Sequence, residues 1–197
     1  MAEFHFKTPL TETDVRSVRV GDSVRLDGIV FGVRDGNLIR IFDEKVAPPC
    51  DWRGAALLHT APNVRKIGPG KYEPVSVGTT TSMRMDRFTE SLLRDYGVRA
   101  ILGKGGLSQK SAALMQQYGA VYLSVTGGAA AMETLQIEEI EKVYWEDLMP
   151  ESIWQFRFKA LGPMTVGIDA HGGNLQHDVQ QQAQAKAAEL LRKMGIA

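Results

Sequence analysis

Between Ser76 and Asp86 the chain reads SVGTTTSMRMD, three threonines and a serine immediately ahead of Arg84. Two kinds of chemistry suit such a run. A hydroxyl at Thr80, Thr81 or Ser82 could cap a helix starting near Arg84, contributing about 1 kcal/mol through one otherwise unpaired backbone N–H. That explains one hydroxyl and leaves the others idle. It also leaves a cation in a first helical turn, where the helix dipole disfavours it by about 0.3–1 kcal/mol. An anion held there by free N–H groups, hydroxyls and the Arg84 guanidinium would reverse the penalty. On residue chemistry alone the cap and the anion site both stand.

Three further stretches carry charge or close backbone approach. Gly103-Lys104-Gly105-Gly106 places a lone lysine among glycines, a loop that could meet a ligand or simply turn. In isolation the plain turn accounts for it better, just as a solvated turn pair accounts for Arg34-Asp35 ahead of Gly36-Asn37. Thr126-Gly127-Gly128 could bring N–H groups to the same edge, or be an ordinary strand-to-helix turn. Neither GxxxxGK[ST] nor a GxGxxG opening a helix occurs, so nucleotide binding has little support. The histidines, His5, His59, His171 and His177, form no HxxxH or HExxH pair. Of these, His171 in IDAHGGN is the one candidate to stand behind a site, and a loop histidine without catalytic duty describes it better.

The elements that must position these residues follow from periodicity. VRVGDSVRLDGIVFGVRD, AALLHTA (Ala55 to Ala61) and KIGPGKYEPVSVG carry strand and turn signals, making residues 1–78 β-rich and suggesting a second sheet. Met85, Phe88, Leu92 and Tyr96 fit one face of a helix that Gly97 stops. VRAIL then reads as a strand. Ser108 caps a helix through Tyr118 with Gly119 as its stop, and AVYLSV leads into a short helix in TGGAAAMETL. IEKVYW, IWQFRFKA and MTVGID read as three more strands, the second alternating Trp154, Phe156 and Phe158 with polar residues. A closing helix over 178–194 gathers Val179, Ala183, Ala187, Leu190 and Met194 on one stripe. Strand–helix alternation over 79–175 indicates an α/β fold within a single domain spanning 1–197.

Composition narrows the partners. Lysine plus arginine equals aspartate plus glutamate at 23 each among 197 residues, so no global basic field favours nucleic acid or anionic lipid. No apolar run approaches the ~20 residues that span a bilayer, and MAEFHFKTPLTETD lacks the layout of a secretory signal. The single cysteine, Cys50, excludes an internal disulfide or a multi-cysteine metal cage built by this chain alone. A reduced, cytoplasmic setting is therefore expected, with no metal bound by the chain itself.

SVGTTTSMRMD, GKGG, TGGAAA, IEEIEKVYWEDLMPESIW and IDAHGGN, in that order, resemble the β subunit of iron–sulfur hydro-lyases, the class I fumarase and L(+)-tartrate dehydratase family. The likeness runs from Val18 to about Asn174. It implies a three-layer β/β/α swivelling domain with mixed sheets. It also implies roles: Arg34, Arg84 and Lys104, with Thr81, hold the carboxylates of a C4 dicarboxylate. Thr80, with Lys104, serves the carbon that gains or loses a proton; Gly127, Gly128 and His171 stay candidates to stand behind the site on the chain pattern alone. An unassisted threonine is too weak an acid to act as a base near neutrality, so cations or a partner carboxylate must assist Thr80. The family's usual GPTT is GTTT here, Thr79 replacing proline, which implies a less rigid turn.

The same resemblance implies a [4Fe-4S] cluster as Lewis acid, needing three protein thiolates where this chain has one. An α subunit is therefore expected to hold the cluster, leaving this chain as half of a hetero-oligomeric enzyme whose assembly could also pair copies of this chain. The Met1 start and the closing helix point to a separate natural subunit. Reversible hydration of fumarate to malate is the expected reaction, with tartrate dehydration to oxaloacetate as the alternative. A non-catalytic anion-binding or carrier domain is a third reading, in which His171 is the loop candidate for a carried group.

Overall fold

A computed structural model describes residues 1–128 and 130–196. Ala129, inside the TGGAAA motif, and Ala197 lie outside the described residues. The chain is α/β. Strands β1 (Glu3–Lys7), β2 (Ser23–Val33), β3 (Ala56–His59), β6 (Ala100–Gly103) and β7 (Val121–Ser124) pair in parallel. Against β7 and β2 runs β9 (Ile153–Ile168), antiparallel to both and to β8 (Ile137–Tyr144), so β9 closes the sheet on itself. A separate hairpin, β4 (Asn63–Gly68) with β5 (Lys71–Ser76), forms the second sheet.

Alternation along the short central strands creates the layers. Leu57, Ile101 and Tyr122 point to a core shared with helices α2 (Asp35–Phe42), α3 (Thr89–Arg94) and α4 (Gln109–Tyr118), where Leu38, Leu92 and Met115 are buried. Leu58, Leu102 and Leu123 point the other way, into a core with Trp154, Phe156 and Phe158 of β9. Helices, parallel sheet and the β8–β9 ribbon thus stack in three layers, helices on one side.

Several elements differ from the sequence reading. IWQFRFKA and MTVGID are one 16-residue strand rather than two, shifting register where it meets Val24 to Gly28 of β2 and turning through Ala160 at φ 52° and Gly162 at φ 127°. The first third is less purely β than expected. Thr11 opens helix α1 (Glu12–Ser17) with a capping box, and Arg34-Asp35 leads straight into α2 instead of a turn. The segment from Arg84 is not α-helical at its start: Ser82–Phe88 is a 3-10 turn, and the α-helix begins at Thr89. Of its predicted inner face Met85, Phe88 and Leu92 are buried, while Tyr96 is half-buried and lies past the end of α3.

α4 matches the sequence signals closely, with Ser108 Oγ accepting from Ser111 N and Gly119 left-handed at φ 67°. Short helix α5 (Ala130–Leu135) follows the glycine turn. The closing helix α6 (Leu175–Lys193) buries none of its residues, and Val179, Leu190 and Met194 of the expected inner stripe are exposed. Its apolar stripe is real in the sequence, but the described residues do not cover it.

One carboxylate ties the 3-10 turn to α4. Asp86, half-buried, accepts from Ser108 N at 2.9 Å and from the Ser108 and Ser111 hydroxyls at 2.7 Å each, at the positive end of the helix. Asp86→Ala is expected to cost about 2–3 kcal/mol. A thermal melt should show this as a drop of about 5–10 °C.

Candidate functional site

Because β2, β3, β6 and β7 are parallel, their carboxyl ends share one edge, the edge where open α/β sheets hold ligands. The residues leaving that edge are Arg34 after β2, Thr60 after β3, Lys104 after β6 and Thr126-Gly127 after β7. Thr79 to Ser82 crosses the edge and is stitched to it by the backbone. Thr80 N donates to His59 O at 2.7 Å, Lys104 N to Thr80 O at 3.3 Å and Ser82 N to Lys104 O at 2.9 Å. Thr81 and Lys104 form a parallel bridge.

Three of the four hydroxyls do separate jobs, and capping is not one of them. Thr81 occupies the N-cap of the 3-10 turn without a side-chain capping bond. Ser82, fully buried, lies 2.9 Å from His59 Nδ1 and accepts from the Tyr122 hydroxyl at 3.0 Å. Thr79, in the place of the usual proline, donates to His59 O at 3.2 Å and pairs with Thr60, so hydrogen bonds fix a turn that the sequence suggested was looser. Thr80 Oγ1 accepts from Arg84 Nη2 at 3.3 Å. The N–H of Ser82 is spent on Lys104, so the anion site expected at that terminus has fewer free donors than the sequence suggested.

Around Thr80 the cations are held by carboxylates. Arg84 Nη2 reaches Asp35 Oδ2 at 2.9 Å. Arg34 Nε stands 3.5 Å from the same oxygen and 3.3 Å from Glu151 Oε1, buried yet without a well-formed hydrogen bond. Glu151 is fixed from below, its Oε2 accepting from Gly36 N at 2.6 Å and its backbone carbonyl from Asn37 Nδ2 at 2.8 Å. With the Arg84 side chain 48% exposed, its ion pair contributes about 0–1 kcal/mol, so it positions charge more than it stabilises the fold. Lys104 forms no ion pair among the described residues. Gly127 makes room for it: a Cβ there would lie 3.3 Å from Lys104 Cδ and 3.9 Å from Nζ. Gly128 turns with φ 90°. Gly103 is required by close approach, since a Cβ would fall 1.9 Å from Ser82 Oγ.

Arg34, Asp35, Arg84 and Thr80 therefore form one network, and the backbone sets Lys104 beside Thr80 and Thr81. His171 is not brought to this edge. Its Nε2 lies 2.9 Å from Arg16 O, beyond the end of antiparallel β9 and beside α1, at the opposite end of the sheet. Residues that spacing did not single out are Asp35 as shared counter-ion, Glu151, and His59. They meet the site across 49, 115 and 23 positions respectively, distances at which no local pattern signals contact.

The family described as Fumarase C-terminus matches residues 1–179. The chain belongs to that family. It is 41% identical over 169 residues to the L(+)-tartrate dehydratase subunit beta of Escherichia coli K12, covering 85% of this chain and 84% of that protein. It is 32% identical over 189 residues to the putative L(+)-tartrate dehydratase subunit beta of Methanocaldococcus jannaschii, covering 92% and 95%. A putative class I fumarate hydratase of Geobacillus stearothermophilus is 33% identical over 184 residues, 93% of this chain but 35% of that longer protein.

His59 supplies a test of the scaffold. Complete burial pushes its imidazole down to about 4, with Asp35 pulling weakly the other way. The unfolded chain therefore takes up a proton near pH 6.5 that the folded chain refuses, and stability is lost as pH falls from about 6.5 towards 4. Between pH 7 and pH 5, urea unfolding should show the wild type losing up to about 2 kcal/mol of stability relative to His59→Gln, a difference that isolates the imidazole.

Proposed function

We propose that this chain is the β subunit of a hydro-lyase acting on C4 dicarboxylates. Its part is to bind and orient the substrate and handle a proton at a site completed by an α subunit. The carrying observation is the Arg34–Asp35–Arg84–Thr80 network, joined through the backbone to Lys104 at the carboxyl edge of the sheet. A dianion entering there meets two guanidiniums and an ammonium, with Asp35 as the resting counter-ion it replaces. Arginine pairs carboxylates bidentately, which sets orientation as well as affinity. The same cations stabilise the extra negative charge when the carbon beside a carboxylate gives up its proton.

Thr80 Oγ1 is the group proposed to hold that proton. The hydrogen bond from Arg84 to this oxygen lowers the energy of its deprotonated form, the assistance an isolated threonine lacks. The reaction's other half, loss or addition of hydroxide, is assigned to the α subunit. This chain's donors do not fit a [4Fe-4S] cluster: one thiol, Cys50, is half-buried, and burial pushes it up to about 11, far from a thiolate ligand. We assign no step through such a cluster to this chain.

Fumarate and L-malate are the substrates implied by the likeness to class I fumarases. The 41% identity to a tartrate dehydratase subunit of nearly the same extent favours tartrate as the second reading. Both share the two carboxylates that the cations would hold. No helix among the described residues is long and apolar enough to cross a membrane.

The test is anaerobic co-expression with the α partner, followed by turnover of fumarate, L-malate and L(+)-tartrate in parallel. The isolated chain should turn over none of them. In the assembly, Arg84→Ala should lower kcat/KM by about 100- to 1,000-fold with folding intact, equivalent to about 3–4 kcal/mol of transition-state stabilisation. Activity within about tenfold of wild type would remove Arg84 from the site.

A further inference from the structure

One buried acid has no place in this chemistry. Glu133 on α5 is 4% exposed, and neither carboxylate oxygen finds a hydrogen-bond partner among the described residues. Native proteins rarely leave such a group alone, and an ionised carboxylate without water or partner is strongly disfavoured. It borders a cavity of about 240 Å³ walled by Val125, Thr126, Gln136, Leu161 and Met164. Gln136 of this wall is engaged with Gly162 in both directions, its Nε2 donating to Gly162 O at 2.6 Å and its Oε1 accepting from Gly162 N at 3.0 Å, and neither it nor Thr126 bonds to Glu133.

Lys104 is the cation that acts on this carboxyl. Its side chain lies along Gly127, next to Thr126 of the cavity wall. Burial pushes the Glu133 carboxyl up to about 7, and Lys104 alone among charged groups acts against that rise. The charges on the two strands packed against α5, Lys71 and Glu73 on β5 and the acidic residues with Lys142 on β8, have no part in it. The walls from β7 and β9 contribute no titratable side chain to the cavity.

We propose that Glu133 is a positioning residue that couples capture of a dicarboxylate by Lys104 to uptake of one proton. With the site empty, the unpartnered carboxylate is the counter-charge for Lys104. When a substrate carboxylate takes over Lys104, Glu133 accepts a proton from solvent and stands neutral, returning it when product leaves. Only the O–H bond of Glu133 forms and breaks. This rests on the reading of Lys104 as a carboxylate-binding residue. An ionised Glu133 competes for Lys104 and repels the incoming dianion, so affinity falls as pH rises through the carboxyl's range.

Steady-state kinetics of the assembled enzyme between about pH 6 and 9 test the coupling. The wild type should show KM rising by about tenfold per pH unit above about 7, the limit for one linked proton, with kcat free of that transition. Glu133→Gln, of the same shape, should hold KM within about twofold over the same range. A Glu133→Gln profile that climbs like the wild type overturns the coupling while leaving the hydro-lyase reading intact. A wild-type assembly that turns over no C4 dicarboxylate overturns that reading and the coupling with it.

A melt of the full chain addresses the buried acid independently of turnover. The folded carboxyl titrates above its unfolded value, so the stability it withholds grows from about pH 4.5 to 7 and is constant above. Glu133→Gln should therefore melt higher than wild type near pH 8 and level with it near pH 4.5. Equal melting near pH 8 would contradict an unpartnered buried carboxylate there.

Discussion

Two guanidiniums that share one corner of a protein repel each other, a repulsion offset by negative charge between them. Asp35 provides it, one oxygen serving both Arg34 and Arg84, with Glu151 supporting Arg34 from the other side. These side chains are 26–48% exposed, so water moderates both their mutual repulsion and their attraction to the carboxylates. The resting arrangement thus holds the cations in place through pairs weak enough to yield to the dianion proposed as substrate. Everything proposed for binding depends on that balance.

The sheet supplies the positions. Parallel strands place Arg34, Thr60, Lys104 and Thr126 on one edge without any of them being near another in sequence. A single crossing segment, Thr79 to Ser82, then brings Thr80 and Arg84 over that edge, pinned by His59, Lys104 and the buried Ser82–Tyr122 pair. Asp86 locks the far end of the segment to α4. A site built mostly from short loops is in this way held by strand ends and by hydrogen bonds that are out of the solvent.

Local signals in the sequence were read well where the interaction is itself local. Ser108 and Gly119 bound α4 as capping chemistry requires, and the alternating aromatics of β9 face inward. The motif order from SVGTTTSMRMD to IDAHGGN pointed to the family later matched over residues 1–179. What escaped was tertiary. Arg34-Asp35 looks like a turn until Glu151 and Asn37 make it the start of a helix. The hydroxyl run looks like a cap until His59, Tyr122 and Arg84 claim Thr79, Thr80 and Ser82. His171 looked like a companion of the site, but an antiparallel strand carries it to the other end of the sheet. The α6 stripe has the period of a buried face and no cover among the described residues, because periodicity records what a helix could bury and not what lies against it.

The central claim is that Arg34, Arg84, Lys104 and Thr80 form a single dicarboxylate site. A crystal structure of the anaerobically assembled enzyme with L-malate or L(+)-tartrate bound addresses it most directly. The account predicts substrate carboxylate oxygens at about 3 Å from a guanidinium of the Arg34–Arg84 pair and from Lys104 Nζ, with the reacting carbon facing Thr80 Oγ1. A dicarboxylate seated elsewhere, with these side chains still closed on Asp35 and Glu151, would contradict it.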